Sequence, residues 1–93
     1  MAKHDTDALG DAVWAELTAN DVTALTFQNY GPSGIAIKAT TGPVPTDLTG
    51  SVRYTMGEGE FSLALADLAP GIAATRVWAY ATEGGARVSV SHA

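Results

Sequence analysis

The side chains able to do covalent or acid–base chemistry are few in this chain, and their spacing suits none of it. The two histidines, His4 and His92, stand at opposite ends of the sequence. Ser91-His92 has the composition of a nucleophile and its base. Neighbours on a strand point to opposite faces, however, and cannot hydrogen-bond as such a dyad requires. Gly57-Glu-Gly-Glu60 has the glycine rhythm of a phosphate or calcium loop. No Lys-Ser/Thr follows it and no Asp-x-Asp ladder accompanies it, so it reads as a hairpin turn. Glu58 and Glu60 would act as general acid and base only inside a cleft, which a small, thin-cored domain rarely builds. There is no cysteine, so neither a disulfide nor a thiolate ligand is available, and no cluster of acids and histidines has the makings of a metal site. The expectation is a chain with no catalytic residue, no metal and no cofactor, and therefore not an enzyme.

What the sequence offers instead is rings. Trp14, Trp78 and Tyr80 are large anchors, of the residue types enriched where proteins bind one another most tightly. In the run Thr75-Arg-Val-Trp-Ala-Tyr-Ala-Thr82, one strand phase carries Val77, Ala79 and Ala81, and the other carries Trp78 and Tyr80. A half-buried strand normally hides its larger apolar side chains. Here both phases are apolar, which happens when a strand lies between two layers or meets another molecule. Two readings follow: the amino-terminal segment covers Trp78 and Tyr80, or a second subunit does. A third use of such rings is stacking against the apolar face of a sugar.

The elements that must position these rings are mostly strands. Residues 6–18 are the exception and predict a short helix. Thr6 or Asp7 caps it, and Leu9, Val13, Trp14 and Leu17 fall on one helical face. A helix this short needs a surface to receive that face, so Leu9, Val13, Trp14 and Leu17 join Trp78 and Tyr80 as candidate interface residues. From Asp21 the period becomes two. Strands are predicted from Asp21 to Asn29, over Ile35–Thr40, over Ser51–Met56, over Phe61–Ala66, from Thr75 to Glu83 and from Arg87 to His92. Tyr30-Gly-Pro-Ser-Gly34 and Gly57-Glu-Gly59 are turns, Thr41–Asp47 with its two prolines is a loop, and Asp67-Leu-Ala-Pro-Gly71 is one helical turn. Glu83-Gly-Gly-Ala86 joins the last two strands. The fold class is all-β: a small antiparallel sandwich or barrel of about six strands with a short amino-terminal helix or arm. Its expected core is Leu25, Phe27, Ile35, Ile37, Val52, Tyr54, Met56, Phe61, Leu63, Leu65, Val77, Val88 and Val90. The division is an acidic arm over 1–21 and a β-domain over 22–93.

Composition narrows the function further. Ninety-three residues, 46% of them apolar, make one domain with a real core. The formal charge of −5 is uneven: five acids face Lys3 alone in the first 21 residues, while five acids and four bases share the rest. The bases are single and dispersed, a poor arrangement for binding phosphates, so no nucleic acid is expected. No run of about 18 apolar residues is present to span a membrane, and the acidic start has no apolar signal core. The acidic arm serves solubility or docks on a basic surface.

Several segments resemble a known group. Val22-Thr-Ala-Leu-Thr-Phe-Gln-Asn-Tyr-Gly31, Gly50-Ser-Val-Arg-Tyr54, Leu65-Ala-Asp-Leu-Ala-Pro-Gly71, Arg76-Val-Trp-Ala-Tyr80 and Val88-Ser-Val-Ser-His-Ala93 are similar to small virion proteins of tailed phages and gene transfer agents. The resemblance covers roughly residues 22–93 and rests on turn and strand words. It implies a β-domain made in the host cytoplasm and carried in the virion, as a decoration (cement) protein on the major capsid protein or as the base of a head spike or fibre. A homo-oligomer, a trimer at a symmetry axis, is the expected assembly. Head–tail or tail proteins and a carbohydrate-binding module for host attachment are the alternatives.

Overall fold

The computed structural model describes residues 3–10, 13–81 and 86–92. Eight strands and one turn of helix follow in the order β1 (Lys3–Ala8), β2 (Trp14–Glu16), β3 (Ala24–Asn29), β4 (Ile35–Thr40), β5 (Val52–Tyr54), β6 (Gly59–Ala64), α1 (Leu65–Leu68), β7 (Arg76–Ala81) and β8 (Arg87–His92). They form two four-stranded antiparallel sheets, β1-β8-β3-β6 and β2-β7-β4-β5. The pairing has a simple logic. β1 pairs with β8, β2 with β7, β3 with β6 and β4 with β5, as in one long folded ribbon. Rolling that ribbon brings β3 beside β8 and β4 beside β7. This is the strand order of a jelly roll, a double-sheet arrangement that limits exposed sheet edges without closing them.

The six strands read from period two are all present. The seventh and eighth replace the expected helix. Residues 3–8 pair with the whole of β8, and 14–16 pair with the middle of β7. The backbone amides of Leu9 and Leu17 continue those ladders onto the carbonyls of Ala86 and Val77. The helical spacing of Leu9, Val13, Trp14 and Leu17 was therefore coincidental. A polar segment such as Lys3-His-Asp-Thr-Asp7 has little local preference to defend, and two waiting sheet edges decide its conformation. The arm and the β-domain form a single sandwich. Residues 11–12, within the expected helix, and 82–85, which hold the end of the expected fifth strand and most of the expected connection, lie outside the described residues.

The core lies between the sheets. β3 sends Leu25, Phe27 and Asn29 inward, β4 sends Ile35, Ile37 and Ala39, and β8 sends Val88, Val90 and His92. β7 buries its small phase, Val77, Ala79 and Ala81. These small residues leave room for Leu9, Leu17, Leu25 and Phe27, which share the same cluster. Phe27 meets Tyr54 edge to face, with ring centroids 4.9 Å apart. Asn29 is buried yet satisfied: its Nδ2 donates to the carbonyls of Ser33 and Tyr54, and its Oδ1 accepts from the Gly31 amide. It pins the 30–34 turn to the end of β5, and each such buried bond contributes about 1 kcal/mol.

Three residues expected in the core stand outside it. Met56 lies two residues beyond the end of β5, in a turn closed by Gly57 at φ 86°. Val52 belongs to a three-residue edge strand and is partly uncovered. Phe61, expected to share a face with Leu63 and Leu65, is 90% exposed. The cause is a bulge. Phe27 pairs with Glu60 and Leu25 with Leu63, so Phe61 and Ser62 together oppose Thr26. One extra residue shifts the phase, and Leu63 turns toward the core while Phe61 stays outside. Leu65 is buried at the start of α1, which begins two residues before the expected helical turn.

Candidate interaction surface

β7 lies inside its sheet, between β2 and β4, and its outward phase is Arg76, Trp78 and Tyr80. Register places Trp14 and Ala36 on either side of Tyr80, and Glu16 and Lys38 on either side of Trp78. Trp14 and Tyr80 pack with centroids 5.1 Å apart and planes tilted by 54°. Such a pair is worth about 0.5–1.5 kcal/mol beyond its buried area. Trp78 Nε1 donates to Thr40 Oγ1 at 3.1 Å, which fixes the indole across the sheet. All three rings are half-buried and lie on one outer face.

Charged pairs frame the rings. Arg76 donates to Glu16 and to Asp21, each at 2.8 Å. Its hydrogen bond to Glu16, then that to Asp21, holds the guanidinium pKa above its ordinary value. The same bond from Arg76 holds the Asp21 carboxyl below its ordinary range. Across the sheet, Lys38 Nζ lies 3.3 Å from Asp47. Asp47 titrates below its ordinary value, chiefly because of that lysine and also because it accepts the Thr49 amide. This contact ties the 41–51 loop to the sheet. Leu48, from that loop, reaches a depression of about 260 Å³ that it shares with Ala36, Ser51, Arg53 and Tyr80. The outer face of this sheet thus has an apolar strip, Trp14–Tyr80–Ala36–Leu48, inside a polar rim. Protein interfaces are built the same way.

The six expected interface residues therefore go to different places. Trp14, Trp78 and Tyr80 come together, and Val13, beside them in sequence, is 57% exposed. Leu9 and Leu17 are buried in the chain's own core. Leu48 and Arg53 were missed, because loop and edge residues carry no period that would place them on a face.

The polar candidates also resolve. Ser91 and His92 point to opposite sides, as strand geometry requires; His92 is buried and accepts the Ala19 amide on Nε2. Ser91 has another partner: His4, its cross-strand neighbour on β1, whose Nδ1 lies 2.5 Å from Ser91 Oγ. This pair is exposed, and the carboxylate nearest in sequence, Asp5, belongs to the opposite phase of β1. Asp5 is therefore not placed to be the third group that orients the base in a hydrolytic site. Glu58 binds the Thr55 amide and hydroxyl, and those bonds hold its carboxyl below the ordinary range. Glu60 accepts from the Tyr54 hydroxyl at 3.4 Å. Burial, then the charge of Glu60, pushes the Tyr54 phenol up. These two acids brace a hairpin. Among the described residues no three metal-ligating side chains converge, and no helix is long and apolar enough to cross a membrane. Comparison with known proteins finds no matching family model, curated protein or solved structure.

Proposed function

We propose that this domain is a non-catalytic structural module that docks on another polypeptide through the outer face of the β2-β7-β4-β5 sheet, and that it is a decoration protein on the head lattice of a tailed phage. The observation that carries the docking is the strip of Trp14, Tyr80 and Leu48, half open to solvent and rimmed by paired charges. Burying a few hundred Å² of such a surface is worth several kcal/mol gross at about 25 cal/mol per Å², before the costs of association reduce it. Repetition over a shell multiplies a weak contact into stable attachment. The virion setting rests on the resemblance of residues 22–93. The jelly-roll order is compatible with it, since that architecture recurs in viral capsid proteins, though it recurs in lectins too. In this setting the partner is the major capsid protein, and self-association as a trimer about a lattice axis is part of the proposal.

A sugar platform on the same rings is less well served. Trp14 and Tyr80 are tilted by 54° and present a corner where a pyranose needs a flat ring, and the Trp78 N–H is already bonded to Thr40. Electron cryomicroscopy of the virion tests the proposal. The expected result is hundreds of copies on the head, with Trp14 and Tyr80 against the capsid protein and attachment lost in the Trp14→Ala/Tyr80→Ala double variant. Copies confined to the tail or to one vertex would transfer the docking face to a tail part or spike base. Attachment that survives the double variant would remove the face from the account altogether.

A further inference from the structure

We infer that the opposite face of the molecule, the outer side of the β1-β8-β3-β6 sheet, binds a neutral glycan with Phe61 as its stacking ring. The bulge on β6 is the starting point. Ser62 has φ 48° and is the one described residue other than glycine with a positive φ. L-residues adopt that conformation at a cost, and bulges that hold it commonly re-aim a side chain. The Ser62 amide donates to Thr26 Oγ1 at 2.9 Å, so the bulge is fastened from the outer face. Its product is Phe61, 90% exposed, the most exposed large apolar side chain among the described residues. Nothing in the domain's own packing uses that ring.

The surroundings of Phe61 suit a particular chemistry. Register aligns His4, Ser91 and Thr26 in one row across the sheet, and Thr6, Ser89 and Gln28 in the next. Depressions lie on both sides of the bulge, one lined by His4, Thr26, Ser62 and Ser91, the other by Gln28, Gly57, Glu60 and Phe61, with the Glu60 carboxylate engaged by the Tyr54 hydroxyl. The chain carries ten acids and five bases, yet the outward phase of these strands holds no carboxylate among the described residues. Asp5, Asp7 and Glu60 all belong to the inward phase, although Asp5, on the edge strand, is exposed beside His4 and Thr6, and Arg87 is the one formal charge in the outward phase of these strands among the described residues. A polyanion finds a single base on this phase and a cation no carboxylate in it, so an uncharged ligand is the better match. These groups bond partly to one another and to backbone, His4 with Ser91, Thr26 with the Ser62 amide and Gln28 with the Gly57 carbonyl, and an apolar protein surface would strip water from the hydrogen-bonding capacity that remains. A sugar chain presents hydroxyls to such groups and a C–H face to a ring. The site stands on the side of the sandwich away from Trp78 and Tyr80 and does not depend on the docking proposed for them.

Isothermal titration of the whole protein with cellohexaose, maltohexaose and laminarihexaose tests the inference. At least one of the three is expected to bind in the sub-millimolar range, with Phe61→Ala weakening it by about tenfold or more and Gln28→Ala weakening it less. Trp78→Ala is expected to leave the affinity unchanged. Phe61 contributes nothing to the core, so the variant retains the wild-type circular dichroism spectrum, which is recorded alongside. Absence of binding for all three sugars, or an affinity indifferent to Phe61→Ala, overturns the site. So does a finding that Phe61→Ala abolishes attachment to a protein partner, because the ring then belongs to a protein contact.

Discussion

Arg76 shows how much of the proposed docking face is organised by one side chain. It begins β7, leans outward and meets Glu16 from β2 and Asp21 from the segment leading to β3. The carboxylate of Asp21 is stabilised in its charged form, so the folded state releases that proton at a lower pH than the unfolded chain does. The resulting stability is fully present above the ordinary aspartate range near pH ~4 and is lost as pH falls through the depressed value. Asp21 is largely exposed, so salt screens the interaction as well. Thermal melts of the wild type and Arg76→Gln therefore differ at pH 7 in dilute buffer, and the gap narrows toward pH 2–3 and in about 1 M salt. A gap that stays constant from pH 7 to pH 2 would show that Arg76 acts through packing of its stem over Trp78, not through charge.

At the scale of elements, β6 is held against β3 more closely than any side chain would allow. A Cβ added at Gly59 would run into the carbonyl of Phe27 and stand 2.6 Å from the Gln28 Cα, all of it backbone. Gly59→Ala is expected to destabilise by about 1–3 kcal/mol, read by urea unfolding, with the 55–58 turn loosened first. A neutral substitution would mean that the two strands are not in register at Gly59. The same strand marks the limit of what the sequence discloses. Clean alternation gave β4 and β8 to the residue, β7 to within one residue at its start and β3 with its end right and its start three residues early, and with them most of the core. It placed Phe61 on the wrong side, because a single hydroxyl, Thr26 Oγ1, captures the Ser62 amide and inserts a residue into the count. The amino-terminal strands were illegible for another reason. β1 is polar in both phases and β2 is three residues long, so their conformation comes from β8 and β7, most of a chain length away. The rings of the docking face were legible as residues and, with Trp14 on a supposed helix, not as a surface. Pairing Trp14 with Tyr80 requires the register, and placing Leu48 requires the course of a loop held by Lys38 and Asp47.

The whole molecule is a two-sided object. One outer face is aromatic and framed by ion pairs; the other is hydroxyl-rich and carries a single projecting phenyl ring. The rolled ribbon that produces both faces also sets Lys3 directly across from His92. Beginning and finish of the described polypeptide are next-door neighbours, so the order in which the strands are threaded is separable from the shape they make. A circular permutant that joins residues 3 and 92 by a short Gly-Ser bridge and is opened between Gly42 and Pro43 should regain the same fold. Its near-ultraviolet dichroism, which reports the coupled Trp14 and Tyr80 rings, should overlay that of the parent, and a flat spectrum there would mean that the native connectivity is indispensable.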